Sequence, residues 1–60
     1  MPSDVRFSEV LRMLQSKGYA LDRIKGSHHL FEKPGARAFV VPVHHGKVKY
    51  GYVRKIEKLA

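Results

Sequence analysis

The chain has 60 residues, no cysteine, and twelve Lys+Arg against five Asp+Glu, a formal net charge of +7. That length leaves room for one small domain over residues 1–60 and excludes a second, while the missing cysteines exclude disulfide staples and thiolate metal sites. No apolar run approaches the ~20 residues that span a bilayer, and Met1 to Val10 lacks the basic start and apolar stretch of a secretory signal, so the sequence predicts a soluble, cytoplasmic protein with no membrane partner.

Phe7, Val10, Leu11 and Leu14 recur at the spacing that lines one helix face, with Arg12, Gln15 and Ser16 pointing elsewhere. This predicts a helix from Phe7 to Lys17, capped by Asp4 or Ser8 and stopped by Gly18 as a left-handed residue. Three short runs follow, Tyr19 to Lys25, His28 to Lys33 and Arg37 to Val43, separated by the turn signals Gly26-Ser27 and Pro34-Gly35. They read as antiparallel strands. The third is richest in β-formers at Phe39-Val40-Val41, with Pro42 suited to its end or an edge; in the first, neither alternating face is apolar throughout. His44 to Tyr50 is polar, basic and glycine-containing and reads as a loop. After Gly51, Val53, Ile56 and Leu59 or Ala60 repeat at helical spacing opposite Arg54, Lys55 and Lys58, predicting a second helix that reaches the chain end. The order is α-β-β-β-α, an α+β class in which two helices cover one face of a three-stranded antiparallel sheet and leave the other to a ligand.

So basic a chain points to a polyanion, and nucleic acid is the commonest in a cell; an acidic protein partner or simple solubility would also account for the charge. The four histidines form two adjacent pairs, His28-His29 and His44-His45. Neighbours on a strand face opposite ways, so each pair offers about one ligand to a side, and no cysteine completes a zinc set; no metal or cofactor is expected. Imidazole exchanges a proton near neutral pH and can act as a general base on the 2′-hydroxyl of RNA, with Lys or Arg balancing charge on the phosphate.

His28 follows the Gly26-Ser27 turn, where Gly26 allows close approach, and Arg23 and Lys25 lie on the preceding strand. Its alternative role is that of a plain surface histidine at a strand start. His29, on the other face, is a packed or exposed spectator. His44 ends the third strand beside a basic loop, where it could bind phosphate, support catalysis or only end the strand. Lys47, Lys49, Arg54, Lys55 and Lys58 form a basic flank whose clustering suggests phosphate contacts, although each alone is a solvated charge. Tyr50 and Tyr52 could stack on bases, or one could pack under the helix.

The order helix, GY, DRIKGSHHLF, FVVPVHHGK and YVRKI closely resembles the HicA (YcfA-like) toxins of bacterial and archaeal toxin-antitoxin pairs over nearly the whole chain. Its most specific pieces are Lys25-Gly26-Ser27-His28 and Val41-Pro42-Val43-His44. The resemblance implies a fold like the double-stranded RNA-binding domain and a metal-independent mRNA interferase. The histidine after Gly-Ser, His28, would be catalytic, and Gly26 and Ser27 the turn that presents it. Lys25 and His44 are the candidates for catalytic support, with Arg23, Lys47, Lys49, Arg54 and Lys55 as RNA contacts. The implied partners are single-stranded mRNA and a HicB antitoxin, in a toxin-antitoxin hetero-oligomer. Where many members open the last helix with Gly-Thr, this chain has Gly51-Tyr52. The alternative reading is a noncatalytic RNA-binding module of the same fold.

Overall fold

In a computed structural model, which describes residues 4–59, the elements are β1 (Asp4–Arg6), α1 (Phe7–Ser16), β2 (Ala20–Lys25), β3 (His28–Glu32), β4 (Phe39–Pro42), β5 (Lys47–Lys49) and α2 (Tyr50–Glu57). The expected α-β-β-β-α order is present, with β2-β3-β4 as a three-stranded antiparallel sheet. Pro42 is the last residue of the edge strand β4, where a missing N–H costs no ladder bond.

Three expectations are corrected, the first being that α2 ends at Glu57 and does not run on through Leu59, with Ala60 outside the described residues. The stretch from His44 to Tyr50 is not a loop: Lys47–Lys49 pairs antiparallel with Asp4–Arg6, Val5 lying opposite Val48, as a short ribbon beside the sheet. Neither Asp4 nor Ser8 caps α1. Asp4 is held in the ribbon and Ser8 lies inside the helix, whose N-cap is Arg6 with no side-chain cap bond. The first helical donor, Phe7 N–H, is satisfied by the Gly46 carbonyl at 2.9 Å. The ribbon therefore tethers the start of α1 in place of a polar cap.

The end of α1 follows from local chemistry. Gly18 takes φ +92°, its N–H donates to Gln15 O at 3.0 Å, and Tyr19 N–H donates to Leu14 O at 2.9 Å. This is the Schellman arrangement, and Leu14 and Tyr19, the pair it brings together, are both buried. Lys17 then reaches the far end of α2, its Nζ donating to Leu59 O at 2.8 Å and Glu57 O at 3.4 Å. A cation on the last carbonyls of a helix satisfies orphan acceptors and complements the helix dipole, so Lys17 ties the two helix ends together.

The core is formed by Val10 and Leu14 of α1, Tyr19, Phe31 and Val41 of the sheet side, Val48 of the ribbon, and Val53 and Ile56 of α2. Six of these side chains are almost fully buried, each contributing on the order of 1.5–3 kcal/mol relative to exposure. Along β3 the pattern separates the two faces of the sheet. His29 and Phe31 point to the helices, where Phe7 meets both rings, and His28, Leu30 and Glu32 alternate with them.

Candidate active site

The β2–β3 connection is the two-residue turn Gly26-Ser27. Gly26 sits at φ +61° while Ser27 stays outside the positive-φ region, the pattern of a type II′ hairpin turn with glycine first. A Cβ on Gly26 would meet nothing within 4 Å, so the backbone angle and not crowding calls for glycine here. The turn leaves His28 as the first residue of β3, paired with Lys25 on one side and with Pro42 on the other.

His28 is exposed, and its ring has no hydrogen-bond partner among the described residues. It lines a shallow depression of about 330 Å³ with Arg23, Lys25, Leu30 and Val40. The last two supply an apolar floor and the first two a cationic rim. Arg23 Nε lies 3.1 Å from Asp22 Oδ2, but the guanidinium is largely exposed, and an exposed pair of this kind holds its partners weakly.

His29 faces the other way and is packed, as one of its two expected roles requires. Its ring lies 4.7 Å from that of Phe7, and Nδ1–H donates to Ser27 O at 3.3 Å. The same carbonyl accepts Val43 N–H at 2.7 Å. The turn that presents His28 is therefore held from behind by α1, through His29, and from the side by the chain leaving β4. The sequence signal for this was available, since strand alternation places the second histidine of the pair inward, but the acceptor two residues back is visible only in three dimensions.

His44 does not share the His28 depression. It forms a bridge with Lys47, with His44 N–H to Lys47 O and Lys47 N–H to His44 O both at 2.9 Å. Between them His45 and Gly46 take φ +53° and +73°, a type I′ turn. A second depression, of about 260 Å³, is lined by Asp4, His44, His45, Lys47 and Lys49. The structure thus groups Arg23 and Lys25 with His28, and Lys47 and Lys49 with His44. Arg54 and Lys55 lie on α2, Arg54 Nε 3.8 Å from Glu57 Oε1 and Lys55 Nζ 5.0 Å from the centre of the Tyr52 ring. Tyr52 packs against the core while Tyr50 is 45% exposed, so the two tyrosines divide the roles the sequence left open.

Among the described residues no three His, Asp or Glu side chains come together as a metal-binding group, and no helix is long and apolar enough to cross a membrane. A third depression, lined by Glu32, Lys33, Pro34, Ala36 and Ala38, lies at the β3–β4 connection and contains none of the predicted site residues. The family model described as HicA toxin of bacterial toxin-antitoxin matches residues 7–60. No curated protein and no solved structure matches the chain.

Proposed function

The chain belongs to the HicA toxin family of bacterial toxin-antitoxin systems, and on that premise we propose that it is a metal-independent endoribonuclease, an mRNA interferase. In this reading it acts in the cytoplasm on single-stranded mRNA, blocks translation and is neutralised by a HicB antitoxin. The observation that carries the reading is an exposed imidazole immediately after a glycine-dependent turn, facing the Lys25 position across the hairpin in a depression rimmed by cations.

The chemistry follows from that placement. His28 takes the proton of a ribose 2′-hydroxyl, and the freed oxygen pair forms a bond to the adjacent phosphorus. The bond from phosphorus to the 5′ oxygen breaks, and protonation of that oxygen leaves a 2′,3′-cyclic phosphate and a 5′-hydroxyl end. The proton comes from the imidazolium created in the first step or from Lys25, with His44 the more remote candidate in its separate depression. Lys25 and Arg23 balance the charge that grows on the phosphate oxygens. Leu30 and Val40 offer apolar surface to a base or ribose. Lys47 and Lys49 extend the cationic surface, with Arg54 and Lys55 of α2 as flanking contacts. Toxin-antitoxin membership implies an antitoxin partner, and an acidic one seated on this surface would occlude His28.

The alternative, a noncatalytic RNA-binding module, is favoured by one observation, the lack of any hydrogen bond that orients the His28 ring among the described residues. The test is incubation of the antitoxin-free protein with single-stranded RNA in excess chelator, beside His28→Ala. Cleavage is expected from the parent and lower by roughly 10²–10⁴-fold in the variant, the usual contribution of a general base. Strands bound but left whole by the parent would favour the module, and equal cutting by both proteins would remove His28 from the mechanism.

A further inference from the structure

The turn between β4 and β5 holds a histidine where its backbone favours another residue. Type I′ turns need positive φ at both central positions, a requirement met best by Asn-Gly; here the first position is His45 at φ +53°. A non-glycine residue in a sparsely populated conformation is an observation from which function can be sought. His45 is one of five residues around the second depression, together with Asp4, His44, Lys47 and Lys49.

The ribbon fixes those groups. Lys47 and Lys49 are the exposed positions on either side of the buried Val48, and Asp4 and Arg6 are their partners across the ribbon. His44 is locked by two backbone hydrogen bonds to Lys47. Among the described residues no carboxylate oxygen lies within 4 Å of either lysine ammonium, Asp4 included. Two ammonium groups and two imidazoles thus line one preformed concavity with a single carboxylate. That balance suits one singly charged phosphodiester.

Position links this concavity to His28. Pro42 is the strand partner of His28, and His44 is two residues further along the same chain, a step of roughly 7 Å in an extended strand. We propose that His44, His45, Lys47 and Lys49 form a phosphate-binding site for the RNA backbone, distinct from the catalytic depression, which holds a phosphate flanking the one cut at His28. The inference rests on the nuclease reading above. Its consequence is that the His45 imidazole serves as a donor at a cost to the turn.

The experiment uses a labelled single-stranded oligoribonucleotide and fluorescence anisotropy in the His28→Ala background, where the strand stays whole. His45→Gly keeps the positive φ and removes only the imidazole; its affinity is expected to fall roughly three- to tenfold, the net worth of about one hydrogen bond, while its melting temperature does not drop. Lys47→Gln with Lys49→Gln is expected to reduce the slope of log affinity against log salt by about 0.7, one phosphate on a single strand. Unchanged affinity in the first variant together with an unchanged slope in the second would overturn the site and leave the nuclease reading standing. Failure of the parent protein, freed of antitoxin, to bind or cut RNA would overturn both. Loss of affinity for the antitoxin with RNA binding intact would reassign the concavity to the protein partner and overturn the proposal.

Discussion

Two hairpin turns carry all four histidines, and they satisfy the same backbone requirement in different ways. Between β2 and β3 the first central residue is Gly26 at φ +61°, and the histidines come after the turn, at the start of a strand. Between β4 and β5 the first central residue is itself a histidine, His45 at φ +53°, with Gly46 second. In the first turn the glycine absorbs the conformation, leaving strand alternation to send His28 outward and His29 inward. In the second, the imidazole is mounted on the turn. A group meant to act on a reacting atom gains from the rigidity of a strand start; one meant to touch a phosphate gains from reach.

Substitution of Gly26 should break the comparison most severely. A β-branched side chain at φ +61° is a marked outlier, so Gly26→Val is expected to lower stability by about 2 kcal/mol or more, against about 1–2 kcal/mol for Gly26→Ala. Urea denaturation midpoints check the order, and cleavage should fall in both as His28 is displaced. An alanine variant as stable and as active as the parent would mean that the turn does not present His28 in the manner described.

His29→Ala comes next, because it removes the support of the turn from behind. The variant loses the ring contact with Phe7 and the bond from Nδ1–H to Ser27 O, an expected loss of about 1–2 kcal/mol. His29→Phe restores the packing but not the donor and should recover part of that stability. The informative readout is the split between binding and turnover. If His29 positions the turn, His29→Phe retains RNA affinity and turns over more slowly; equal turnover would reduce His29 to a core residue.

The same two turns show which parts of the fold were readable from sequence. Gly26-Ser27 between two short runs is a standard hairpin signal, and it placed His28 at a strand start with Arg23 and Lys25 on the preceding strand; the register that sets Lys25 opposite His28 came from the structure. His45-Gly46 departs from Asn-Gly at its first position, so the second hairpin was read as a loop. The two strands of the ribbon contributed little more. Asp4-Val5-Arg6 and Lys47-Val48-Lys49 have one apolar residue each, too few for a period of two to show, and their pairing closes over most of the chain. The poor alternation of β2 has a cause of the same kind. A register shift between Leu21 and Arg23 brings Leu21 and Ile24, three apart, opposite the inward residues Phe31 and His29, which no simple alternation can display. By contrast α1 was legible from its spacing and from Gly18, since both act within a few residues. The division of the basic residues between two depressions depended on the ribbon and was lost with it.

The smallest expected effect is the one that discriminates between the turns. His45→Asn places at φ +53° the residue that tolerates the left-handed region most readily after glycine, in the Asn-Gly pairing that type I′ turns favour. It should stabilise the protein by about 0.5 kcal/mol, and since 1 kcal/mol moves the midpoint of a domain this size by about 4–8 °C, the rise in Tm is expected to be about 2–4 °C. The corresponding change in the other turn, Gly26→Asn, removes glycine from a position already at its optimum and should lower the midpoint. Opposite signs from the same introduced residue would show that one turn is built for backbone fit and the other carries a side chain at the expense of fit. A fall in Tm for His45→Asn would mean that the imidazole itself holds the ribbon turn together, and the contrast between the two hairpins would disappear.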